Sequence, residues 1–554
     1  MRFLLDRLDR AQGRFVPLGD GRFVALTHRL QTQLRQLASV SEADKTSQRV
    51  HALGAAAVGD LLEEAGQVEA DAAWRKHISR LREAGTWTPK TPATLQAELR
   101  DYQEEGFIWL ARLARLEAGA CLADDMGLGK TVQAIALMLH RATEGPCLVV
   151  APTSVCPNWA AELLRFAPTL NVHRLGSTGD RAALVEGLVA RDVVLCSYGL
   201  LHQEAELLAG RRWQMVVLDE AQAIKNAGTR RAQVIQRLQA GFRLALTGTP
   251  VENDLDELWS LFAFVTPGLL GSREKFQKRF SGPIERDRDP GARAALKALL
   301  RPFLLRRTKA AVLSELPPRT EQTILVEMEP DERAFYEALR QKALAAIAAL
   351  DAPTGRRKVH ILAELMRLRR ACCNPALIDP KAAVPGAKLA AFLELVDELR
   401  ANRHKALVFS QFTGHLELVR AALDERGVTY AHLDGSTPAA ERERRVAQFQ
   451  AGETELFLIS LRAGGTGLNL TAADYVVHLD PWWNPAVEDQ ASDRAHRIGQ
   501  TRPVTIYRLV MADSIEERIL ELHRAKRELA AELLEGADMA GRLTEQQLLE
   551  LIGG

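Results

Sequence analysis

Ala123-Asp124-Asp125-Met126-Gly127-Leu128-Gly129-Lys130-Thr131 decides how this chain is read. It stands between an apolar strand end and a helix predicted to begin near Thr131. Glycines let the backbone curl so that several N–H groups face one anion, and the helix N-terminus adds partial positive charge. In such a cradle, formed here by Asp125, Met126, Gly127, Leu128 and Gly129, Lys130 reaches the terminal phosphates and the Thr131 hydroxyl ligates Mg2+. The full phosphate-loop pattern has Gly where Asp124 stands, so this is a variant. A Gly-rich structural turn before a helix is the competing reading.

A second motif downstream favours the phosphate reading. Val216-Val217-Leu218 is an apolar strand that delivers Asp219 and Glu220, followed by Ala221-Gln222, to the C-terminal edge of a sheet. Nucleotides bind at that edge in parallel α/β folds. Asp219 is the expected Mg2+ ligand, and Glu220 the group that orients and deprotonates an attacking water. Paired acids at a strand end are often mere turn residues. Following a Lys-Thr loop at this lag, they predict a nucleoside triphosphatase.

The surroundings have the rhythm such a site needs. Cys147–Val150, Val193–Cys196, Met215–Leu218 and Leu244–Leu246 are short β-rich runs alternating with helical stretches, which predicts a parallel sheet covered on both faces. The rhythm returns in Ala406–Phe409, Leu456–Ile459 and Tyr475–Leu479. Between the two, Asp254 to about Gly386 reads as helical and Arg-rich, broken at Leu316-Pro317-Pro318. Helix periodicity returns from Ser514 through Leu533. Near the N-terminus, Arg22–Leu26 after Gly19-Asp20-Gly21 reads as a hairpin arm. Helices are expected over Leu30–Leu37 and Asp44–Glu64, with a linker over Thr86–Pro92. The organisation is then an accessory region over 1–92, a first α/β lobe with a helical insertion over 93–315, and a second lobe with its own insertion and helical tail over 316–554.

Composition narrows the class. The chain has 554 residues, enough for about three or four domain-sized units. With 47% hydrophobic and 26% charged residues it is ordinary globular protein, which excludes wholesale disorder and collagen-like repeats. Lys+Arg at 72 against Asp+Glu at 71 leaves a net charge of +1, so net charge names no polyanion partner, though a local basic groove remains compatible. Most cations are Arg, the better side chain for gripping phosphate oxygens in pairs. Cys121, Cys147, Cys156, Cys196, Cys372 and Cys373 are scattered without CxxC spacing, and read as buried reduced thiols with no structural zinc. The N-terminus meets acid too early for a signal peptide, and no apolar run approaches a membrane span. The expected location is the cytoplasm, away from membranes.

Together these motifs resemble the superfamily-two helicase-like ATPases. Asp124–Thr131, Asp219–Gln222 and Leu246-Thr247-Gly248-Thr249-Pro250 look like their first three motifs. Leu99-Arg100-Asp101-Tyr102-Gln103, Leu305-Arg306-Arg307-Thr308-Lys309, Asp480-Pro481-Trp482-Trp483-Asn484-Pro485 and Asp493-Arg494-Ala495-His496-Arg497-Ile498-Gly499-Gln500 narrow the resemblance to the Swi/Snf branch, over roughly residues 95–525. It implies two tandem RecA-like lobes, parallel sheets flanked by helices, with Swi/Snf-type helical insertions, and ATP with Mg2+ as cofactors. It implies that Gln103 reads adenine, that the Gly248-Thr249-Pro250 segment couples hydrolysis to lobe motion, and that Arg494 and Arg497 act as arginine fingers. Such fingers contribute about 10³–10⁵ in rate. Gln490 is expected in the cleft with a lesser effect.

The resemblance also implies how duplex DNA is held. Thr153, Asn158 and Trp159 look like one backbone-contact motif, and Ser197 with Tyr198 like a second. Ser410-Gln411, Gly435-Ser436 and Thr466-Gly467 occupy the corresponding places in the second lobe. Hydroxyls, amides and exposed N–H groups bind phosphate oxygens without reading bases. Each hydroxyl taken alone could equally be a cap or turn residue. Trp482 and Trp483 are expected to pack rather than to stack on bases.

Three departures stand out. Asp125 replaces a frequent Glu, Gln222 stands where many relatives carry His, and Cys373-Asn374 replaces an Asn-His pair in a segment expected to pack. Residues 1–90 resemble the end of an accessory region in longer bacterial relatives, so a short bacterial form is expected. The expectation for function is an ATP-dependent translocase on double-stranded DNA, monomeric when active, that remodels or displaces DNA-bound complexes, with an RNA polymerase or a recombination or repair complex as candidate target. A strand-separating helicase and an ATP-switched nucleic-acid-binding scaffold are the alternatives.

Overall fold

A computed structural model describes residues 15–19, 22–27, 41–43, 48–50, 72–153, 155–248, 255–313, 316–349, 354–381, 384, 386–461, 468–521 and 552. Near the N-terminus, strands β1 (Phe15–Gly19) and β2 (Arg22–Ala25) pair antiparallel, as the Gly-Asp-Gly turn predicts. Strands β3 (Ser41–Ala43) and β4 (Gln48–Val50) form a second small hairpin. This corrects the expected helix over Asp44–Glu64: its N-terminal part is a strand, because backbone pairing across a short connection overrides a weak helical period. The rest of that helix and the one over Leu30–Leu37 lie outside the described residues. A further helix spans Ala72–Thr86.

The body divides into two compact units that change over at Thr308–Lys309, with Met126–Leu128 grouped with the second. The first is a seven-stranded sheet of β5 (Ala120–Leu122), β6 (Cys147–Ala151), β7 (Asn171–Arg174), β8 (Asp192–Ser197), β9 (Arg212–Asp219), β10 (Gln239–Leu246) and β11 (Leu304–Leu305). Their order is β11-β5-β10-β9-β6-β8-β7, and every pair is parallel. Register places the site. Leu246 lies opposite both Leu122 and Asp219, so β5, β10 and β9 end level with one another. The segments beginning Ala123, Thr247 and Glu220 therefore leave the sheet together. Helices α1 (Asp101–Arg115), α2 (Lys130–His140), α3 (Cys156–Phe166) and α4 (Leu255–Val265) belong to this unit, α1 and α2 packing on each other.

The second unit is a six-stranded sheet of β12 (Arg319–Val326), β13 (Ala406–Ser410), β14 (Tyr430–Leu433), β15 (Leu456–Ser460), β16 (Tyr475–His478) and β17 (Val504–Met511). The order is β12-β17-β16-β13-β15-β14, again all parallel. Both sheets thus have the parallel α/β form expected. β12 is a correction to the helical reading of 254–386. It is an edge strand whose first five residues, Arg-Thr-Glu-Gln-Thr, are polar and mostly exposed, so its apolar run is only Ile324-Leu325-Val326. Helices α5 (Thr354–Cys373), α6 (Thr413–Glu425) and α7 (Pro485–Ser492) flank this sheet, and residues 515–521 are helical where the C-terminal helix is expected. Trp482 and Trp483 pack at the margins of two hydrophobic clusters, as anticipated. No helix among the described residues is long and apolar enough to cross a membrane.

Candidate nucleotide site and nucleic-acid contacts

The phosphate loop is built by two left-handed glycines, Gly127 at φ 86° and Gly129 at φ 74°, with α2 starting at Lys130. At Gly129 a Cβ would sit 2.4 Å from Nε2 of Gln103, so only glycine lets this glutamine lie against the start of α2. Gln103 is buried, and its Oε1 accepts from the Arg100 amide at 3.1 Å. Lys130 Nζ donates to the carbonyls of Asp124 at 2.5 Å and Asp125 at 3.2 Å, folded over the loop. Asp125, Met126, Gly127 and Thr131 are partly exposed, whereas Leu128 is buried.

Asp124, where the full pattern has Gly, is fully buried. Arg307 grips it with both arms, Nε to Oδ1 at 3.0 Å and Nη2 to Oδ2 at 2.6 Å, while the Arg307 amide adds a third bond at 3.0 Å. Arg307 also donates to Gln133 Oε1 at 3.0 Å and to the Tyr102 carbonyl, and it lies over the Tyr102 ring at 5.2 Å. At Gly106 of α1 a Cβ would come within 1.9 Å of Gln133 Oε1 and 2.8 Å of Arg307 Nη2. Arg307, Gln133 and Gly106 are thus positioning residues of the loop. Sequence reasoning quoted Arg307 within a string and gave it no role, since its partner is 183 residues away.

The acidic pair closes the first-unit site. Burial raises the Asp219 carboxyl pKa, opposed by the Trp159 indole N–H at 2.7 Å, the Glu220 amide at 2.9 Å and the charge of Lys130. Glu220 sits in the left-handed region at φ 49°, an uncommon conformation for a residue with a side chain that marks functional turns. Its Oε2 accepts from Gln222 Nε2 at 2.7 Å, and Gln222 Oε1 accepts from the Thr247 hydroxyl at 2.9 Å. A continuous relay therefore runs from the expected base to the first residue past β10. Thr249 and Pro250 lie outside the described residues.

The set can hold a divalent cation. Asp219 and Thr131 are hard oxygen donors, and each Asp219 oxygen keeps a lone pair after its one N–H bond.

In the second unit, Arg494 and Arg497 follow α7 but differ in setting. Arg494 is buried at 2% exposure, whereas Arg497 is partly exposed and donates to the Leu468 carbonyl at 3.3 Å. Their loop is braced: Lys309 Nζ meets Asp493 at 2.7 Å and the His496 carbonyl, and Arg319 meets Asp489 at 2.9 Å. Gln490 is partly exposed on α7.

The expected DNA contacts separate into two groups. Thr153, Asn158, Gly435 and Ser436 are exposed, and Gln411 is partly so. Gly435 and Ser436 lie in the turn after β14, where Asp434 accepts from the Ser436 amide and hydroxyl at 2.9 and 2.6 Å. Ser436 helps line a cavity of about 490 Å³ with Arg420, His432, Arg444 and Arg445. Three others are corrected to internal roles. Trp159 is fully buried on Asp219; Tyr198 is buried with its hydroxyl on the Asp219 carbonyl at 2.8 Å; Ser410 is buried against Asp480. A buried side chain already committed to an internal partner has no face for a phosphate. Ser197 is half-buried and caps the following helix, accepting from the Leu200 amide at 3.2 Å. Thr466 and Gly467 lie outside the described residues.

Two family descriptions match this chain: the SNF2-related domain over residues 102–377 and the helicase conserved C-terminal domain over 387–499. The chain belongs to the SNF2-related family of ATP-dependent helicase-like enzymes. Among its SNF2-related relatives, the putative ATP-dependent helicase/translocase YwqA of Bacillus subtilis is 42% identical over 83% of this chain and 51% of its own length. The ISWI chromatin-remodeling complex ATPase CHR11 of Arabidopsis thaliana is 37% identical over 82% of this chain and 44% of its own. The chain thus spans about half the length of the curated relatives it matches. A solved structure, the Sulfolobus solfataricus SWI2/SNF2 ATPase core in complex with dsDNA, is 34% identical over 81% of this chain and 96% of that one, with a TM-score of 0.42.

Proposed function

We propose that the chain is an ATP-driven translocase on double-stranded DNA that remodels or displaces DNA-bound complexes, working in the cytoplasm of a bacterium and active as a monomer. The observation that carries the ATPase part is the hydrogen-bonded series Glu220–Gln222–Thr247 beside a Lys130-capped phosphate loop. In the proposed reaction Lys130 leaves its loop carbonyls for the terminal phosphates of ATP. Glu220 accepts the proton of the attacking water, and Arg497 is the proposed finger that takes up charge on the γ-phosphoryl oxygens. Asp219 and Thr131 would hold Mg2+, which neutralises charge between the phosphates. Changes at the γ-phosphate alter the Glu220–Gln222–Thr247 series first, and lobe opening and closing follows.

The duplex reading rests on the exposed hydroxyl, amide and backbone groups of Thr153, Asn158, Gly435 and Ser436, which suit phosphate contacts. An RNA polymerase or a recombination or repair complex is the proposed class of target. ATP turnover measured without nucleic acid and with single strands, duplex DNA and RNA tests the substrate: duplex should stimulate most. Triplex displacement beside short-duplex unwinding tests the task. Unwinding without triplex displacement would overturn translocation in favour of strand separation.

A further inference from the structure

Cys373, His415 and Asp480 come from three separate segments of the second unit: the last residue of α5, the first turn of α6, and the turn after β16. All three are buried, and one ligand atom from each lies within 4.8 Å of the others. His415 is fully buried, and neither of its ring nitrogens has a hydrogen-bond partner. A buried polar group without a partner calls for an explanation, and an absent ion is a standard one. From this geometry we infer that Cys373, His415 and Asp480 form a zinc site that staples the helical insertion to the second sheet.

The chemistry is specific. A thiolate, an imidazole and a carboxylate are the three donor types that Zn2+ accepts together, and the soft sulfur selects against Mg2+ and Ca2+. Zinc bonds of about 2.0–2.3 Å in a tetrahedron set donors roughly 3.3–3.8 Å apart. The observed spread of up to 4.8 Å is wider, so the three donors would draw inward as the ion binds. Binding costs one proton: the Cys373 thiol, kept protonated by burial, loses it to solvent as the S–Zn bond forms. His415 needs to lose none, since burial and the charge of Lys388 hold it neutral, with a pKa near 3. One thiolate and one carboxylate balance the ion, so the filled site is neutral. Of the neighbouring cations, Lys388 is paired with Glu516, and Arg369 donates to the Pro481 carbonyl. Outer support is present as well. The Ser410 hydroxyl and the Gln411 amide, the latter at 3.3 Å, both donate to Asp480 and fix its orientation.

This revises the expectation of no structural zinc. Ligand spacing in the sequence could not show the site, because its members stand 42 and 65 residues apart, from 373 to 415 and from 415 to 480. The departure noted above supplies the key ligand, for Cys373 stands where relatives are expected to carry Asn.

The test uses the full chain. Protein equilibrated with zinc sulfate and desalted is assayed for bound metal, and a second sample is loaded with Co2+ for absorption spectroscopy. Expected are one zinc per chain, a thiolate-to-cobalt charge-transfer band in the wild type, loss of that band in Cys373→Ser, and loss of most of the bound zinc after desalting in His415→Ala. Because His415→Ala could misfold, the wild-type cobalt spectrum serves as the second measurement. No bound zinc, or a cobalt spectrum without the sulfur band, overturns the inference. So does zinc content unchanged in both variants.

Discussion

The two units share a sheet type yet place their polar groups differently. In the first, Asp219, Glu220, Gln222 and Thr247 sit at or just past strand ends and Lys130 at the start of α2, partly exposed except for Thr247. In the second, charged groups are sunk into the interior. Lys388 and Glu516 form a fully buried pair, and Arg508 joins Glu488 at 2.8 Å and Glu321 at 2.7 Å, tying β17 to α7 and to β12. Arg369 is buried beneath Phe412 and Trp483, 5.8 and 5.1 Å from their rings. Buried ion pairs add little net stability when intact, but breaking one leaves a stranded charge. Substitutions at these strand-end and loop groups of the first unit should therefore cost chemistry, and at these buried groups of the second unit folding; in the first unit the buried Asp124 beneath Arg307 is the exception.

The sharpest break in that pattern is the arginine loop of the second unit. Arg497→Ala should lower DNA-stimulated ATP hydrolysis by about 10³–10⁵ while the melting temperature holds, because its side chain is partly exposed. Arg494→Ala, three residues earlier and buried, should lower the melting temperature as well. Equal melting curves for the two would remove the distinction between them.

Next in size is the buried pair. Lys388→Met should cost about 3–5 kcal/mol in urea unfolding by leaving Glu516 charged with only the Met511 amide as partner. The double substitution with Glu516→Leu should recover most of that loss. Failure to recover would mean that the pair itself, not the stranded charge, holds the unit together.

These contrasts also explain what could be read from the chain alone. The strands of both sheets that are apolar runs were legible, since β6, β13 and β15 are buried along their whole length. β12 was not, being polar over its first five residues and at an edge, nor was β4, whose pairing depends on a neighbour rather than on its own pattern. Local motifs with fixed spacing, such as Gly127–Thr131 and Asp219–Gln222, marked the nucleotide site. The grip of Arg307 on Asp124 is long-range and left no local trace. Trp159, Tyr198 and Ser410 were misplaced because hydroxyl and indole groups look alike in sequence, whether they face a phosphate or an internal acid.

Arg307 offers a smaller effect of a mixed kind. Arg307→Lys keeps the charge but loses the two-armed grip on Asp124, worth about 1.5–3 kcal/mol for hydrogen bonds to a charged group. The loop should loosen, and KM for ATP should rise roughly tenfold or more at that magnitude. Gly106→Ala should act in the same direction by pushing Gln133 and Arg307 apart. An unchanged KM in both would show that the loop holds its shape without them.

The smallest expected effect bears on coupling. Thr247→Val keeps the shape but removes the hydroxyl that donates to Gln222, and one neutral hydrogen bond is worth about 0.5–1.5 kcal/mol. Gln222 still bonds Glu220, so the base stays oriented. The loss should fall mainly on the DNA-stimulated rate, by roughly two- to tenfold, and less on the rate without DNA. An equal loss in both rates would place Thr247 in the chemical step. No loss in either would mean that the signal from the γ-phosphate leaves the site by another route, and that the relay through β10 is only a packing contact.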